Sequence, residues 1–235
     1  MAQKPNPRPA PVSRDTDRSQ AAILKAARDE FSEHGFAGGR VDRIAERAGV
    51  NKRLIYYYFG NKDDLFLSVL ENTYADIRQA EQGLHLDALA PIEALRTLVT
   101  FTWHYFLAHP EFLSLLASEN LSRASHLKQS GKIREMHSPL VQLLDRLLER
   151  GRADGLFRAG IDPVQLYISI ASLGFFYLAN NDTLSVIFGR DLREADALEE
   201  RLSHMTDLVV GYAISEPPEG ETACPPAPGR STRTS

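Results

Sequence analysis

The sequence predicts an all-α fold made of an N-terminal three-helix unit and a larger C-terminal helical domain. Apolar residues recur at spacings of three and four along most of the 235-residue chain, which is the period of amphipathic helices. No stretch shows the alternation of apolar and polar residues that is typical of strands. The helical period lapses between Gly83 and Ala90, and we place the boundary between the two domains there.

The first helix is predicted to run from about Thr16 to His34. Gly35 ends it, because glycine tolerates the left-handed conformation that many helix termini adopt. The residues before this helix, 1–15, and the last residues of the chain, 214–235, are rich in proline and polar side chains. Such composition cannot build a core, so both segments are predicted to be disordered tails.

Residues 40–59 are predicted to form two short helices joined by a tight turn. Gly49 follows the last apolar residue of the first short helix, where a left-handed residue without Cβ is favoured. Asn51 can cap the second short helix through its side-chain oxygen. That helix opens with Lys52 and Arg53 and continues with aromatic residues, so the pattern is typical of a helix-turn-helix.

The remaining helices are marked by their apolar stripes and, for two of them, by proline in the first turn. The fourth helix is predicted to connect the two domains. A polar stretch loosens the pattern at 122–131, and the interval 180–191 is predicted to be an interruption that can include a short turn. The predicted elements are Lys62–Gln79, Pro91–Ala108, Glu111–Leu121, a stripe from Met136 to Leu148, Val164–Ala179 and Leu192–Tyr212.

The helix that follows Asp162 and Pro163 is apolar on nearly all sides. One stripe can face the core of the chain, whereas the other needs a different partner, and a second copy of the chain is the natural candidate. The last helix has apolar residues at alternating spacings of four and three, which suits packing between helices. We therefore predict a homodimer whose interface contains Leu166, Ile170, Leu173, Tyr177, Leu198, Leu202, Met205 and Val209.

Charge is distributed unevenly along the chain. Residues 1–60 hold eleven Lys and Arg against seven Asp and Glu, whereas the whole chain has a net charge of −4. This asymmetry also arises by chance, but it favours contact with a polyanion through the N-terminal unit only. The single cysteine, Cys224, and the lack of a signal-peptide pattern predict a cytoplasmic protein without a membrane partner.

Residues 18–65 resemble the TetR family of bacterial transcriptional regulators. The resemblance implies a helix-turn-helix DNA-binding domain at 17–77 and a divergent helical domain at 84–213 that dimerises and often binds a small molecule. The matching residues are Ile23, Leu24, Ala26, Ala27, Phe31, Gly35, Phe36, Val41, Ile44, Ala45, Ala48, Gly49, Val50, Ile55, Tyr56, Tyr58, Phe59, Lys62 and Leu65.

The second short helix of a helix-turn-helix enters the major groove of DNA with its N-terminal residues. Arg53 stands where many TetR members have a small residue, and its guanidinium can make two hydrogen bonds to guanine. Gly39 and Arg40 stand where the family usually has Thr or Ser, and the cation of Arg40 could keep a phosphate contact. The predicted contacts to a double-stranded operator come from Arg40, Arg43, Lys52, Arg53, Tyr56, Tyr57 and Lys62.

The resemblance also implies an unidentified small-molecule effector in the C-terminal domain, and we expect no cofactor and no metal. The candidate pocket combines aromatic side chains with polar ones that could orient a ligand. Aromatic residues at helical spacing more often belong to the core, so a core role is the alternative for each. The candidates are Trp103, His104, Phe106, Asn120, Met136, His137 and Phe176.

Two other functions remain open on the sequence alone. A helical adapter would use its basic helix to bind an acidic protein. A small-molecule-processing enzyme is suggested by Ser125 and Lys128, which match a Ser-x-x-Lys string, but the companion motifs of acyl-transfer enzymes are missing. We therefore expect no catalytic residue and predict a regulator of transcription, more specifically a repressor that a ligand releases from a palindromic operator.

Overall fold

A computed structural model describes residues 14–215, without the side chains of residues 14, 15, 137 and 138. Within this range the chain forms ten α-helices and two short 3-10 turns, and the all-α prediction is confirmed. The helices are α1 (Arg14–Gly38), α2 (Val41–Ala48), α3 (Lys52–Phe59), α4 (Lys62–Gln82), α5 (Pro91–Ala108), α6 (Pro110–Leu121), α7 (Gly131–Ala153), α8 (Pro163–Ala179), α9 (Asn181–Phe188) and α10 (Ala195–Ala213).

The predicted tails at 1–15 and 214–235 lie almost entirely outside the described residues. At their inner edges the prediction was wrong, because both edges take part in the fold. Arg14 already begins α1. Ile214 forms an isolated antiparallel bridge with Phe157, and the Ser215 N–H donates to the Leu156 carbonyl at 2.9 Å.

Two elements differ from the sequence prediction. The first helix breaks at Gly35, which has φ 65° and ψ 176°, but helical residues continue to Gly38. The interval 180–191 was predicted as an interruption, yet it contains α9, whose two turns are too short to display a clear period. No helix within residues 14–215 combines the length and the apolar character needed to cross a membrane.

The N-terminal unit packs around two buried aromatic rings. Phe31 of α1 and Phe66 of α4 meet edge to face, with ring centroids 5.0 Å apart and an interplanar angle of 82°. Gly39 passes close to this pair, since a Cβ at that position would lie 2.6 Å from the Phe31 ring. Glycine is therefore required there by the close approach of the backbone to the core.

The core of the N-terminal unit extends into the C-terminal domain. Leu115 of α6 and Ile133 of α7 are 0% and 9% exposed and belong to the same buried cluster as Phe31 and Phe66. The Phe36 N–H donates to the Ser118 hydroxyl at 2.9 Å, which ties the end of α1 to α6. Because of this shared core, a displacement of α6 or α7 changes the packing of the N-terminal unit.

A buried polar joint also links the two parts. Glu119 of α6 is 2% exposed and accepts hydrogen bonds from the backbone N–H groups of His126 and Leu127. The Nδ1 atom of His126 lies 2.7 Å from Glu119, and its Nε2 lies 3.4 Å from Asp63 in the first turn of α4. The imidazole thus bridges α6 to the start of α4.

The C-terminal domain has its own core, and this core overturns part of the predicted dimer interface. Leu166, Ile170, Met205 and Val209 are at most 3% exposed and pack inside the chain, so they offer no surface to a partner and their assignment was wrong. The Tyr177 hydroxyl donates to the Leu192 carbonyl at 3.0 Å. The other predicted residues, Leu173, Leu198 and Leu202, are half-buried against the same core.

Glu30 of α1 fixes the position of α2. Its side chain is fully buried and accepts a hydrogen bond from the Arg40 N–H at 2.8 Å and another from Arg43 Nε at 2.7 Å. Burial raises the pKa of the Glu30 carboxyl, but the hydrogen bonds from Arg43 and Arg40 outweigh burial and hold the pKa below 4.5. The stabilisation is therefore present above pH 4.5 and is lost as the pH falls through the lowered value.

Replacement of Glu30 by glutamine (Glu30→Gln) should lower the free energy of unfolding by about 1–3 kcal/mol at pH 7, because the Arg43 guanidinium loses its buried, charged acceptor. Urea unfolding measures this loss, and the difference from the unchanged protein should shrink as the pH is lowered below 4.5. The matched control is Glu33→Gln, which removes an exposed ion pair to Arg47 and should cost much less. Equal losses in the two variants would contradict the role of Glu30.

Candidate nucleic-acid interface

The turn between α2 and α3 has the conformation that the sequence predicts. Gly49 adopts φ 65° and ψ 31°, the left-handed region, and its N–H donates to the Glu46 carbonyl. The Val50 N–H donates to the Ala45 carbonyl at 3.0 Å, which closes the end of α2. The Asn51 side chain accepts from the Arg53 N–H at 2.9 Å and caps α3. These bonds set the direction in which α3 leaves the unit.

One face of α3 is anchored and the opposite face is open. Ile55 is 1% exposed and lies in the core with α1 and α4, whereas Tyr58 and Phe59 are partly buried against it. Tyr57 is 80% exposed and Tyr56 is 43% exposed. A single apolar anchor therefore holds a short helix whose polar aromatic side chains point away from the protein.

Arg53 and Lys52 share the first turn of α3 but differ in their surroundings. The exposed Arg53 side chain has no hydrogen-bond or ion-pair partner among the described residues. The Lys52 ammonium lies 2.7 Å from Asp42 Oδ1 on α2, and both side chains are largely exposed. The hydrogen bond to Asp42 raises the pKa of Lys52, so the lysine stays protonated and partly neutralised.

The two arginines predicted at α2 have different roles. Arg40 is the N-cap residue of α2, and its exposed side chain makes no cap hydrogen bond. Arg43 donates to Glu30 through Nε and to the Gly38 carbonyl through Nη2 at 2.9 Å. The Arg43 guanidinium therefore neutralises a buried carboxylate within the protein, and its contact with DNA stays a prediction.

Lys62 lies at the first position of α4, and its ammonium is 4.7 Å from the centroid of the Phe36 ring. Burial lowers the pKa of Lys62, although the carboxylates of Asp63 and Glu30 act in the opposite direction. The side chain is half-buried, so part of its length packs against the protein. Its contact with a DNA phosphate stays a prediction.

The predicted ligand residues do not converge on one cavity. Trp103 is 1% exposed in the core, where its ring meets the ring of Tyr177 with centroids 5.7 Å apart. Phe176 is 59% exposed, and His104 is exposed on α5 with its Nδ1 at 2.9 Å from the Thr100 carbonyl. These three assignments to a pocket were wrong. The side chain of His137 lies outside the described residues.

The remaining candidates are divided between two cavities. Phe106 and Asn120 line an open, mostly apolar groove of about 530 Å³ between α6 and α8. Met136 lines a cavity of about 350 Å³ between α4 and α7 that also contains Arg78 and Glu81. Neither of these charged residues was predicted, although Glu81 continues the buried stripe of Ile77 on α4 and a charge on such a stripe is a usable signal.

The Ser-x-x-Lys string does not assemble a nucleophile. The Ser125 hydroxyl lies 3.4 Å from His126 Nδ1, but that nitrogen is already 2.7 Å from the Glu119 carboxylate. The imidazole is therefore occupied by a shorter contact and is not a base directed at the serine. Among the residues that the structure describes, no group of three His, Cys, Asp or Glu side chains could hold a metal ion.

Two family models match the chain at the positions of its two domains. The model described as "Bacterial regulatory proteins, tetR family" matches residues 23–69, which include α2, the turn and α3. The model described as "Tetracyclin repressor-like, C-terminal domain" matches residues 91–209. Together they span most of the chain that the structure describes.

Two relatives extend the match over the whole fold. The HTH-type transcriptional repressor NicS of Pseudomonas putida is 44% identical over 198 residues, which cover 84% of this chain and 93% of that protein. The HTH-type transcriptional regulator RutR of Escherichia coli strain K12 is 26% identical over 200 residues, which cover 84% of this chain and 92% of that protein.

The fold is also similar to a solved structure. The transcriptional regulator FadR of Bacillus subtilis, crystallised in complex with stearoyl-CoA, has a TM-score of 0.59 and 20% sequence identity. The similarity covers 82% of this chain and 98% of FadR. With an anchored helix-turn-helix, two matching family models and a relative similar over nearly its full length, the chain belongs to the TetR family of bacterial transcriptional regulators.

Proposed function

We propose that this protein is a homodimeric transcriptional repressor that binds a palindromic double-stranded operator and leaves it when a small-molecule effector binds. The observation that carries the proposal is the open face of α3, where Arg53 has no partner among the described residues beside the exposed Tyr56 and Tyr57. A buried anchor and an exposed cation on the same short helix suit insertion into a groove of DNA.

The side chains on α3 divide into base readers and backbone contacts. Arg53 is in the first turn, from which an arginine can reach O6 and N7 of guanine and discriminate by about 1–3 kcal/mol. Tyr56 follows one turn later and reaches a neighbouring base or phosphate. Tyr57 and Arg40 supply sequence-independent contacts to phosphates at the edge of the groove. Lys52 joins them once its ammonium leaves Asp42.

The dimer surface lies on the outer faces of α8 and α10. Ile168 and Phe176 of α8 are 50% and 59% exposed, and Leu208 and Tyr212 of α10 are 48% and 49% exposed. Large apolar side chains exposed on two adjacent helices are typical of an interface. A two-fold dimer through this surface gives two copies of α3, which read half-sites about 34–36 Å apart.

Repression and release by an effector are supported by the relatives, since NicS carries the name of a repressor and FadR was crystallised with stearoyl-CoA. The shared core at α6 and α7 provides a physical connection between a ligand in the C-terminal domain and α3. Coupling of about 1–3 kcal/mol would weaken DNA binding about 5–150-fold.

The direct test is selection of genomic DNA fragments by the purified protein, followed by sequencing and binding titrations at several salt concentrations. We expect a palindromic motif and a log affinity that falls linearly with log salt concentration. A protein-binding adapter would select no motif. Equal affinity for the selected fragments and for scrambled duplexes would refute the proposal.

The variant Arg53→Ala should lose discrimination at one guanine of each half-site, whereas Arg40→Ala should weaken all duplexes alike. The expected loss for Arg53→Ala on the selected operator is about 1–3 kcal/mol per half-site. For Arg40→Ala the slope of log affinity against log salt concentration should become shallower by about 0.9 for each phosphate contact removed. Fluorescence anisotropy with operator, guanine-substituted and scrambled duplexes separates the two effects. Equal losses on all three for Arg53→Ala would exclude base reading.

The variant Asp42→Asn should bind DNA more tightly than the unchanged protein, because it releases the Lys52 ammonium and removes a negative charge near the phosphates. The gain should appear on operator and scrambled duplexes alike, and the salt slope should become steeper by about 1. The control is Glu46→Gln, which removes an exposed carboxylate on the same helix. Unchanged or weaker binding by Asp42→Asn would show that the ion pair does not compete with DNA.

The double variant Ile168→Asp/Leu208→Asp should be monomeric at micromolar concentration, because each charge would be buried in the interface without a partner. Sedimentation velocity measures the mass, and loss of the dimer should also remove tight binding to the palindrome. Leu121→Asp is the control, since Leu121 is 88% exposed on α6, which is not one of the two helices of the proposed interface. A dimer that survives the double substitution would place the interface elsewhere.

A further inference from the structure

A cavity of about 350 Å³ lies between the C-terminal part of α4, the 3-10 turn Leu86–Ala88 and α7. Its apolar wall is formed by Leu86, Leu140 and Leu143, together with Met136. A size of this order suits a small organic molecule. Two charged residues of α4, Arg78 and Glu81, also line it and make it different from an apolar void.

Arg78 and Glu81 are buried without full hydrogen bonding. Their side chains are 5% and 3% exposed, and Arg78 Nη1 lies 2.8 Å from Glu81 Oε2. Arg78 Nη2 donates to the Tyr167 hydroxyl at 2.8 Å, and the guanidinium lies 5.3 Å from the centroid of that ring. Arg78 Nε and Nη1 and both oxygens of Glu81 have no well-aligned hydrogen-bond partner among the described residues.

Such a pair is costly if its only role is structural. A buried ion pair stabilises a protein only when its remaining donors and acceptors are also bonded, and orphaned atoms cost free energy. Here Arg78 Nε and Glu81 Oε1, which are buried and lack a partner among the described residues, belong to side chains on the wall of a cavity. Groups in this position are typical of a site that a ligand completes.

We infer that this cavity is the effector site and that it binds an uncharged small molecule with an amide-like edge, a hydrogen-bond donor beside an acceptor, on an apolar body. The acceptor of the ligand takes a hydrogen bond from Arg78, and its donor gives one to Glu81. The apolar body packs against Leu140 and Leu143. The effect of the ligand on DNA binding rests on the proposed function, whereas binding of the ligand to the cavity does not.

The charges at the cavity favour a neutral ligand over an ionic one. A carboxylate on the ligand would be attracted by Arg78 but repelled by the Glu81 carboxylate. A cation on the ligand would be attracted by Glu81 but repelled by Arg78. Arg146 and Asp87 at the rim are 3.4 Å apart and form an ion pair with each other. Burial raises the pKa of Glu81 to about 7, although Arg78 opposes this, so binding of an anion would be coupled to the uptake of a proton by Glu81, whereas a neutral ligand needs no such change.

The position of the cavity explains how a bound ligand would affect α3. Helix α4 carries Arg78 and Glu81 near its C-terminal end and Leu65 and Phe66, both fully buried in the N-terminal core, near the other end. A ligand held by the C-terminal end therefore acts on the helix against which α3 is packed. The ligand changes the fraction of dimers that can bind DNA only if its affinity differs between two positions of α4, the position in DNA-binding dimers and the position in the other dimers.

The test compares benzamide, benzoate and benzamidine, which share the phenyl body and differ in their polar edge. Isothermal titration calorimetry on the full-length protein should give binding of benzamide and at least tenfold weaker binding of benzoate and benzamidine. The double variant Arg78→Met/Glu81→Leu removes both charges with similar volume and leaves no unpaired ion. It should lose at least tenfold in benzamide affinity, and Glu81→Gln, which keeps the acceptor oxygen, should lose less.

The control variant is Ser172→Ala, which changes the separate groove between α6 and α8 and should leave benzamide affinity unchanged. Tighter binding of benzoate or benzamidine, no binding of any probe at millimolar concentration, or equal affinity in the double variant would overturn the inference. Circular dichroism shows whether each variant is folded. Operator binding without ligand is measured on the same samples, so failure of the effector site and failure of DNA recognition give different results.

Discussion

The structure depends on one buried carboxylate. Glu30 of α1 accepts the Arg40 N–H at the start of α2 and the guanidinium of Arg43 within α2, so a single side chain from the first helix fixes the second. The start of α2 is thus held in place by another helix, and its N-cap residue makes no side-chain cap hydrogen bond. Since α2 determines where the Gly49 turn begins, Glu30 indirectly decides which side chains of α3 face outward.

Helix α4 connects this arrangement to the rest of the molecule. Its first turns lie in the N-terminal core through Leu65 and Phe66, and its last turns contribute Arg78 and Glu81 to a cavity. Two further connections run beside it. The Phe36 N–H donates to the Ser118 hydroxyl, and the His126 ring lies between Glu119 and Asp63. The N-terminal unit is therefore not an independent module on a linker, and this continuity is the physical basis for control of DNA binding by a ligand.

Much of the candidate DNA interface could be predicted from sequence, because it depends on neighbours along the chain. The Gly49 turn, the Asn51 cap and the exposed Arg53 all follow from interactions over a few residues. Arg43 could not be assigned in this way, since its partner is thirteen residues away on another helix. The pocket could not be assigned for a similar reason: the aromatic side chains chosen for it lie in the core, on the surface or along an open groove, whereas a buried ion pair lines the cavity between α4 and α7.

The sequence by itself determined the helices and the family resemblance, since period, caps and turn residues act locally. Tertiary structure decided which apolar stripe of each helix is buried in the core. The apolar stripe of α8 that contains Leu166 and Ile170 was assigned to a partner, but α5 and α7 bury it, and the stripe with Ile168 and Phe176 is exposed instead. Periodicity shows that a helix has two apolar faces, whereas only the packing of distant helices selects the face that water and other molecules can reach.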